Sequence, residues 1–375
     1  MSENLAVSAW PNGDARRGWA ARVMLAEDAR WVADVVMSAN KSDGVKAYPA
    51  LLLGHHFVRI AYEGAIAIRS VNPHVGWQPF ADLLTDQYAV ITKRARHVTK
   101  LLDDTRKGYE GVLADLADTL QCNHDAFMGK APRWLRWLET DMGLYFLNGS
   151  LLGASIPMAY RLDLDPADQH STSGGPIRAV SEEWGATMVA LSAADLREPD
   201  LTGSLDLSKC KIMYSDRVAS TYLTARYERD FPNELKMLLL MIEGDLNTIR
   251  EFLPLTATGH ELATFRARTV TVYHSLSALR QVEQRFPVVD TAGMRGLRTL
   301  LSDPPTSRLM CREAGLVRNR CVHYEMNDPA IQLDPSLPMS GIVEAVYPGN
   351  SWGRFDEDVS NVMERFADHL ATWKP

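Results

Sequence analysis

The sequence predicts an all-α, multi-helix protein, and three observations carry that expectation. Apolar residues recur at helical spacing through most of the 375 residues. The period-two alternation that half-buried strands need is almost absent. Several prolines sit where a helix can open, because the first helical turn has spare N–H groups and the ring presets φ. With 46% apolar residues the chain can bury a sizeable core, and its length favours two domains or one large helical assembly.

About a dozen helices are expected. The first spans roughly Asp14 to Ser38, with Asp14 placed to cap it and Val23, Trp31 and Val35 facing inward. A second, from Ala50 to about Arg69, ends before Asn72-Pro73. Pro79, Pro132 and Pro232 introduce segments beginning at Phe80, Arg133 and Asn233. Between Leu162 and Pro176 the chain loses periodicity and gathers turn formers, the best domain boundary, and Glu198 to Cys210 is a second irregular stretch.

The expected organisation is therefore an N-terminal helical domain (1–165), an irregular linker with a short helix (166–210) and a C-terminal helical domain (211–375). Helices are expected in the last part over Asp216–Arg229, Pro232–Phe252, His260–Arg285, Thr291–Leu301, Ser307–Tyr324 and Phe355–Trp373. The one candidate strand is Gly341–Tyr347, with a loop as the alternative. No fixed-period repeat or low-complexity tract is visible.

A net charge of −7 and a sequence pI near 5.8 argue against broad electrostatic capture of nucleic acid, although a small basic site is compatible with them. Cys122, Cys210, Cys311 and Cys321 lie far apart, so free thiols in the cytoplasm are expected rather than a metal ribbon or redox pair. Residues Met1 to Arg17 lack a basic-then-apolar leader, and no apolar stretch approaches the roughly 18 residues that span a bilayer. Secretion and membrane insertion are not expected.

Common chemical motifs are missing. Asp163, Asp165 and Asp168 suggest a calcium loop, but Asp168 and Gly174 stand where the EF-hand needs glycine and glutamate. His260-Glu261 opens like a zinc-protease helix, yet Thr264 occupies the place of the second histidine. There is no phosphate loop, dinucleotide fingerprint or nucleophile elbow, and neither a metal nor a cofactor is expected. His56, Arg59 and Glu63, at i, i+3 and i+7, share one helix face beside His55. That face is a secondary candidate site; its structural alternative is a buried Arg–Glu pair with a neighbouring histidine that locks the helix into a bundle.

The primary candidate is the run Arg318-Asn319-Arg320-Cys321-Val322-His323, followed by Tyr324. Arginine-to-histidine spacings of this kind arise by chance on the order of twice in such a composition, and three occur. Pro73 interrupts the run from Arg69 to His74, and Thr269 follows Arg268 in the run to His274. Only Arg318 to His323 adds asparagine in a clean helical context. At about 100° per residue, Asn319 and His323 share a face and Arg318 lies about 140° from His323, within reach of its long side chain.

These residues resemble the HEPN superfamily of helical bundles, whose signature is arginine, a polar residue and, after four to six intervening residues, histidine. The resemblance covers roughly Asp216 to Glu325, including a long preceding helix over Arg268–Phe286. It implies metal-independent cleavage of RNA, toxin-like or defence-related, in a groove between two protomers, leaving 2′,3′-cyclic phosphates. His323 is then the expected base for the ribose 2′ proton and Arg318 the cation that steadies the phosphate. Asn319 is expected to orient His323 or hold a phosphate oxygen, with Tyr324 and Arg320 as substrate-binding residues. Because Tyr324 follows His323 directly, the sequence departs from the modifiable histidine–any residue–tyrosine pattern of some HEPN toxins.

The expected partners are RNA, a second copy of the chain and a protein regulator. Two rivals stand beside this expectation. One is a non-catalytic helical binding or scaffold protein in which Arg318 and His323 pair with Glu313 or Glu325. The other is a small-molecule enzyme working from the His56, Arg59 and Glu63 face. The N-terminal half is expected to be either a second, degenerate bundle or a sensor that controls the groove.

Overall fold

The computed structural model describes residues 14–42, 45, 48–71, 86–103, 107–162, 175–192, 205–208, 210–324, 326, 328 and 331–373. The segment expected after Pro79 and most of the 163–176 boundary lie outside them. The fold is all-α and multi-helix, with one small sheet.

The N-terminal elements are α1 (Asp14–Asn40), α2 (Tyr48–Leu52), α3 (Gly54–Val71), α4 (Asp86–Val98), a 3-10 turn (Leu101–Asp103) and α5 (Gly108–Phe127). In α1, Trp31 and Val35 are fully buried as expected, and the Trp31 Nε1–H donates to Thr256 Oγ1 at 2.9 Å.

No helix starts at Arg133. After Pro132 the chain makes turns and a 3-10 segment, Arg136–Leu138, then enters a hairpin of β1 (Met142–Leu147) and β2 (Ser150–Ala154). Asn148 (φ 53°) and Gly149 (φ 85°) form its two-residue connection, with Leu147 opposite Ser150. Positive φ at both central residues is the geometry that matches the strand twist, and Asn-Gly is the pair that adopts it cheaply.

The hairpin leads into α6 (Ser155–Leu162), and α7 (Gly175–Ser192) is a full helix inside the expected linker. Where a helix was expected over Asp216–Arg229, β3 (Met213–Arg217) pairs antiparallel with β1 in the order β2-β1-β3, and only α8 (Ala219–Thr224) is helical.

The central element is α9 (Asn233–Asn247), buried at every position from Leu235 to Asn247. A helix enclosed all round belongs at the centre of a bundle. It opens behind Pro232 as expected, and β2 crosses it so closely that a Cβ on Gly244 would stand 2.9 Å from the Leu152 carbonyl oxygen. The chain continues through a π-helical turn (Thr248–Phe252) and a 3-10 turn (Leu253–Thr256) into α10 (Glu261–Arg285) and α11 (Ala292–Ser302), close to the expected bounds.

The expected helix over Ser307–Tyr324 is two helices, α12 (Pro304–Leu309) and α13 (Arg312–His323). The break falls at Met310 and Cys311, whose sulfur accepts from the Ala314 N–H at 3.4 Å and caps α13. The candidate strand Gly341–Tyr347 is instead α14 (Ile342–Val346), where Ile342, Val343 and Val346 bury one helical face. The last helix is α15 (Trp352–Thr372), capped by Ser351 Oγ on the Arg354 N–H at 3.3 Å.

One continuous apolar cluster runs from Ala20 to Trp373. Helices from both ends of the chain share it: α1 packs on α3, α7 and α10, α5 packs on α9, and α3 packs on α13. Among the described residues no helix is long and apolar enough to cross a membrane.

Candidate functional site

The contact between α3 and α13 brings together the two sites that the sequence presents as rivals. Glu63, on α3, lies 2.8 Å through Oε2 from Nδ1 of His323, the last residue of α13. Its other oxygen accepts from Arg96 Nε of α4 at 2.7 Å, and Arg96 Nη1 donates to Thr99 Oγ1 at 3.0 Å. Burial raises the pKa of the Glu63 carboxyl, but the His323 hydrogen bond and the Arg96 charge outweigh it and hold the group below its ordinary value. Glu63 is thus an ionised acceptor with two partners, and the imidazole it orients stays 32% exposed.

Arg318 begins the motif on the same helix, about one and a half turns earlier. Its guanidinium stands 4.4 Å from the Tyr273 ring centroid, donates to its neighbour Asn319 Oδ1 at 2.9 Å and reaches Asp103 Oδ2 at 3.5 Å. Asp103 also receives the His274 Nδ1–H at 3.1 Å and the Ser277 hydroxyl. Burial lifts the Asp103 carboxyl, yet these bonds and the Arg318 charge bring it below its usual value. Both ends of the motif are therefore tied to one short stretch of chain: His323 through Glu63 to Arg96, and Arg318 to Asp103. Neither pairs with Glu313, and Glu325 lies outside the described residues.

The residue after the motif turns inward. Tyr324 adopts the left-handed conformation (φ 54°), ends α13 with its N–H on the Arg320 carbonyl at 3.2 Å, and buries its ring to 1% exposure. Its hydroxyl donates to Asp28 Oδ2 at 2.6 Å and accepts from Arg59 Nη1 at 2.9 Å. The expected role of Tyr324 in stacking on a base is corrected by this burial: the ring anchors the helix end to the core.

Arg59 does not pair with Glu63 on its own helix. It donates to Asp28 at 2.8 Å and to the Cys321 carbonyl at 2.7 Å, so a cation satisfies the C-terminal end of α13. Asp28 also accepts from Arg266 Nε at 2.7 Å, and this group is closed to solvent, with side chains 0–2% exposed. Arg320 is half-buried beside it along α13.

The part of α3 that carries His55, His56 and Arg59 also lines a cleft of about 340 Å³, open space at its mouth included, together with Arg96, Thr99 and His274 from elsewhere in the chain. His56 Nε2 lies 3.3 Å from Thr271 Oγ1, and the His55 and His56 rings are 4.0 Å apart. Burial first drives both imidazoles well below their ordinary pKa, with Arg161 and Arg59 next for His55 and with His55 and then Arg59 next for His56, and burial takes His274 down to about 4. All three rings are neutral at pH 7. No group of three or more His, Cys, Asp or Glu among the described residues is arranged to hold a metal ion.

Asp28, Arg96, Asp103, Arg266 and His274 are cluster members that sequence reasoning missed. Asp28 carried a legible signal, since it sits on the inward stripe formed by Leu25, Trp31, Val32 and Val35. His274 belongs to the rejected Arg268 run. It enters the cluster while Arg268 turns away to Asp356 at 2.7 Å.

The chain matches no protein-family model, no curated protein and no solved structure.

Proposed function

We propose that the protein is a metal-independent endoribonuclease of the HEPN type, with His323 as general base and Arg318 as the cation beside the scissile phosphate. One observation carries this: a buried, ionised carboxylate, fixed by Arg96, holds Nδ1 of a ring that is one-third exposed. A carboxylate acceptor selects the tautomer with hydrogen on Nδ1, which leaves the Nε2 lone pair for a substrate proton.

In the proposed reaction Nε2 takes the ribose 2′ proton and the 2′ oxygen attacks the adjacent phosphorus. The P–O5′ bond breaks, the leaving oxygen takes a proton from water, and a 2′,3′-cyclic phosphate and a 5′ hydroxyl remain. Arg318 exchanges its long 3.5 Å contact with Asp103 for a phosphate oxygen, keeping the positive charge where negative charge accumulates. Asn319, bonded to Arg318, acts as a positioning residue.

The test is incubation of the full chain with mixed RNA in EDTA, beside His323→Ala and Glu63→Gln. Cleavage that survives the chelator, disappears in His323→Ala and falls about 100-fold in Glu63→Gln is expected. Equal traces from all three proteins sink the proposal.

A second reading is a non-catalytic helical binding protein. The solvent-closed Asp28–Arg59–Arg266–Tyr324 group favours it, because these side chains join α1, α3, α10 and the end of α13 as a structural lock. Equal traces in the RNA assay are the outcome it expects.

A further inference from the structure

Three residues that line the cleft beside the motif carry four nitrogens that are shielded from solvent and lack a hydrogen-bond partner among the described residues: His55 Nδ1, His55 Nε2, His274 Nε2 and Arg59 Nε. His274 is only 5% exposed and is one of the residues that line this space. Leaving such groups unmet is costly, of order 1–3 kcal/mol each, and native interiors rarely do so without a ligand or ordered water.

The chemistry of the four is specific. Arg59 Nε always carries hydrogen and donates. Neutral His55 offers one donor and one acceptor. Ionised Asp103 can only accept, so His274 keeps its hydrogen on Nδ1 and presents Nε2 as an acceptor. The walls therefore ask for a small ligand that offers acceptor atoms to Arg59 and His55 and at least one hydrogen to His274 Nε2 or the remaining His55 nitrogen.

Charge narrows the choice. Arg59 and Arg96 are among the lining residues, and the charges of Arg161 and Arg318 act on the lining histidines His55 and His274 respectively. Asp245 is on the wall but is held by both ends of the Arg161 guanidinium, at 2.8 Å for Nη1, and Asp103 is occupied by His274, Ser277 and Arg318. The charged groups acting on His55 and His56 are cationic, which disfavours a metal ion and a neutral diol and favours an oxyanion. A singly protonated or doubly protonated phosphoryl group carries bare oxygens and O–H groups together; sulfate and phosphodiesters carry no O–H.

We infer that this cleft is a binding site for a phosphoryl group bearing at least one O–H, as inorganic phosphate or a phosphate monoester. The site goes beyond the nuclease proposal and does not use His323. An internal RNA phosphate, being a diester, is not its ligand.

The test is calorimetric titration of the full chain near pH 6.5 with inorganic phosphate, methyl phosphate, sulfate and dimethyl phosphate, repeated on His55→Leu, His274→Gln and His323→Ala. Phosphate or methyl phosphate binding at least about tenfold tighter than sulfate and dimethyl phosphate is expected. His55→Leu and His274→Gln each lose at least about tenfold in phosphate affinity, and His323→Ala binds phosphate as the parent does. If His274→Gln does not fold, His55→Leu decides, since His55 as a whole residue is less enclosed than His274. Equal affinity for phosphate and sulfate, no heat with either phosphate, or unchanged affinity in His55→Leu overturns the inference. Because the His323→Ala protein binds phosphate whether or not the parent cleaves RNA, failure here and failure of the nuclease proposal are separate results.

Discussion

Asp28 and Glu63 are two buried carboxylates that each meet an arginine and one residue from the end of α13, yet they sit in different kinds of place. Asp28 holds Arg59, Arg266 and Tyr324, all closed to solvent, and both of its carboxylate oxygens are occupied. Glu63 holds Arg96 and His323, and His323 opens to the surface. The two partners on α13 are consecutive residues. They part because Tyr324 takes positive φ, which ends the helix and turns its ring inward while His323 stays on the outer turn. A dry ion cluster fixes geometry, whereas the Glu63 pair leaves part of the His323 ring open to solvent.

The strongest way to break this contrast is to remove Asp28. Asp28→Ala leaves two guanidiniums, 2% and 0% exposed, without their shared acceptor, and a loss of about 3–5 kcal/mol in urea unfolding is expected. A loss under about 1 kcal/mol means the Asp28 cluster is not a structural lock.

Acid probes the buried imidazoles next to the half-open one. Unfolded, His274 takes a proton below about pH 6.5; folded, burial first and the Arg318 charge with it hold that step down to about 4. The folded pKa is the lower one, so its contribution is complete above pH 6.5 and is lost as pH falls towards 4. Near pH 5 the loss from His274 is about 2 kcal/mol, and His55 and His56, lowered for the same reason, add in the same direction. Unfolding measured at pH 7 and pH 5 reads this directly, and His274→Gln flattens part of the difference. The Glu63 and Asp103 carboxyls, lowered from 4.5 and 3.8, weaken the fold only at still lower pH. A pH-independent stability between 7 and 5 contradicts neutral, buried rings.

Tyr324→Phe keeps the ring and removes only the hydroxyl shared by Asp28 and Arg59. It is expected to cost about 1–2 kcal/mol and to leave RNA cleavage in EDTA within about twofold of the parent. Loss of cleavage at full stability would transfer Tyr324 from the lock to the chemistry.

The smallest change in stability is expected from His323→Ala. Glu63 keeps Arg96, and the lost pair is one-third exposed, so unfolding shifts by about 1 kcal/mol or less while RNA cleavage disappears. A large destabilisation places His323 with Asp28 in the lock.

Much of the helical plan was readable before any coordinates. Pro232, the long apolar period after His260 and the Thr291 start foretold α9, α10 and α11 within a few residues, because caps, prolines and a 3.6-residue period act locally. The misses were local too. Asn148-Gly149 is a strong hairpin signal in a stretch where only helices are expected, and Ile342-Val343 near Val346 fits a helical face as well as a strand. The expected break-free helix to Tyr324 failed at Cys311 because a sulfur cap leaves little trace in a periodic pattern.

By itself the sequence determined that Arg318, Asn319 and His323 lie on one helix and that His56, Arg59 and Glu63 share a face of another. Only the tertiary structure decided that Glu63 meets His323 across 260 positions of chain, that Arg59 chooses Asp28, and that Asp103 joins Arg318 to His274. Helical periodicity states which side of a segment faces inward. It carries no information on which distant segment supplies the counter-charge, since that follows from how the helices stack and from the requirement that each buried ion find a partner.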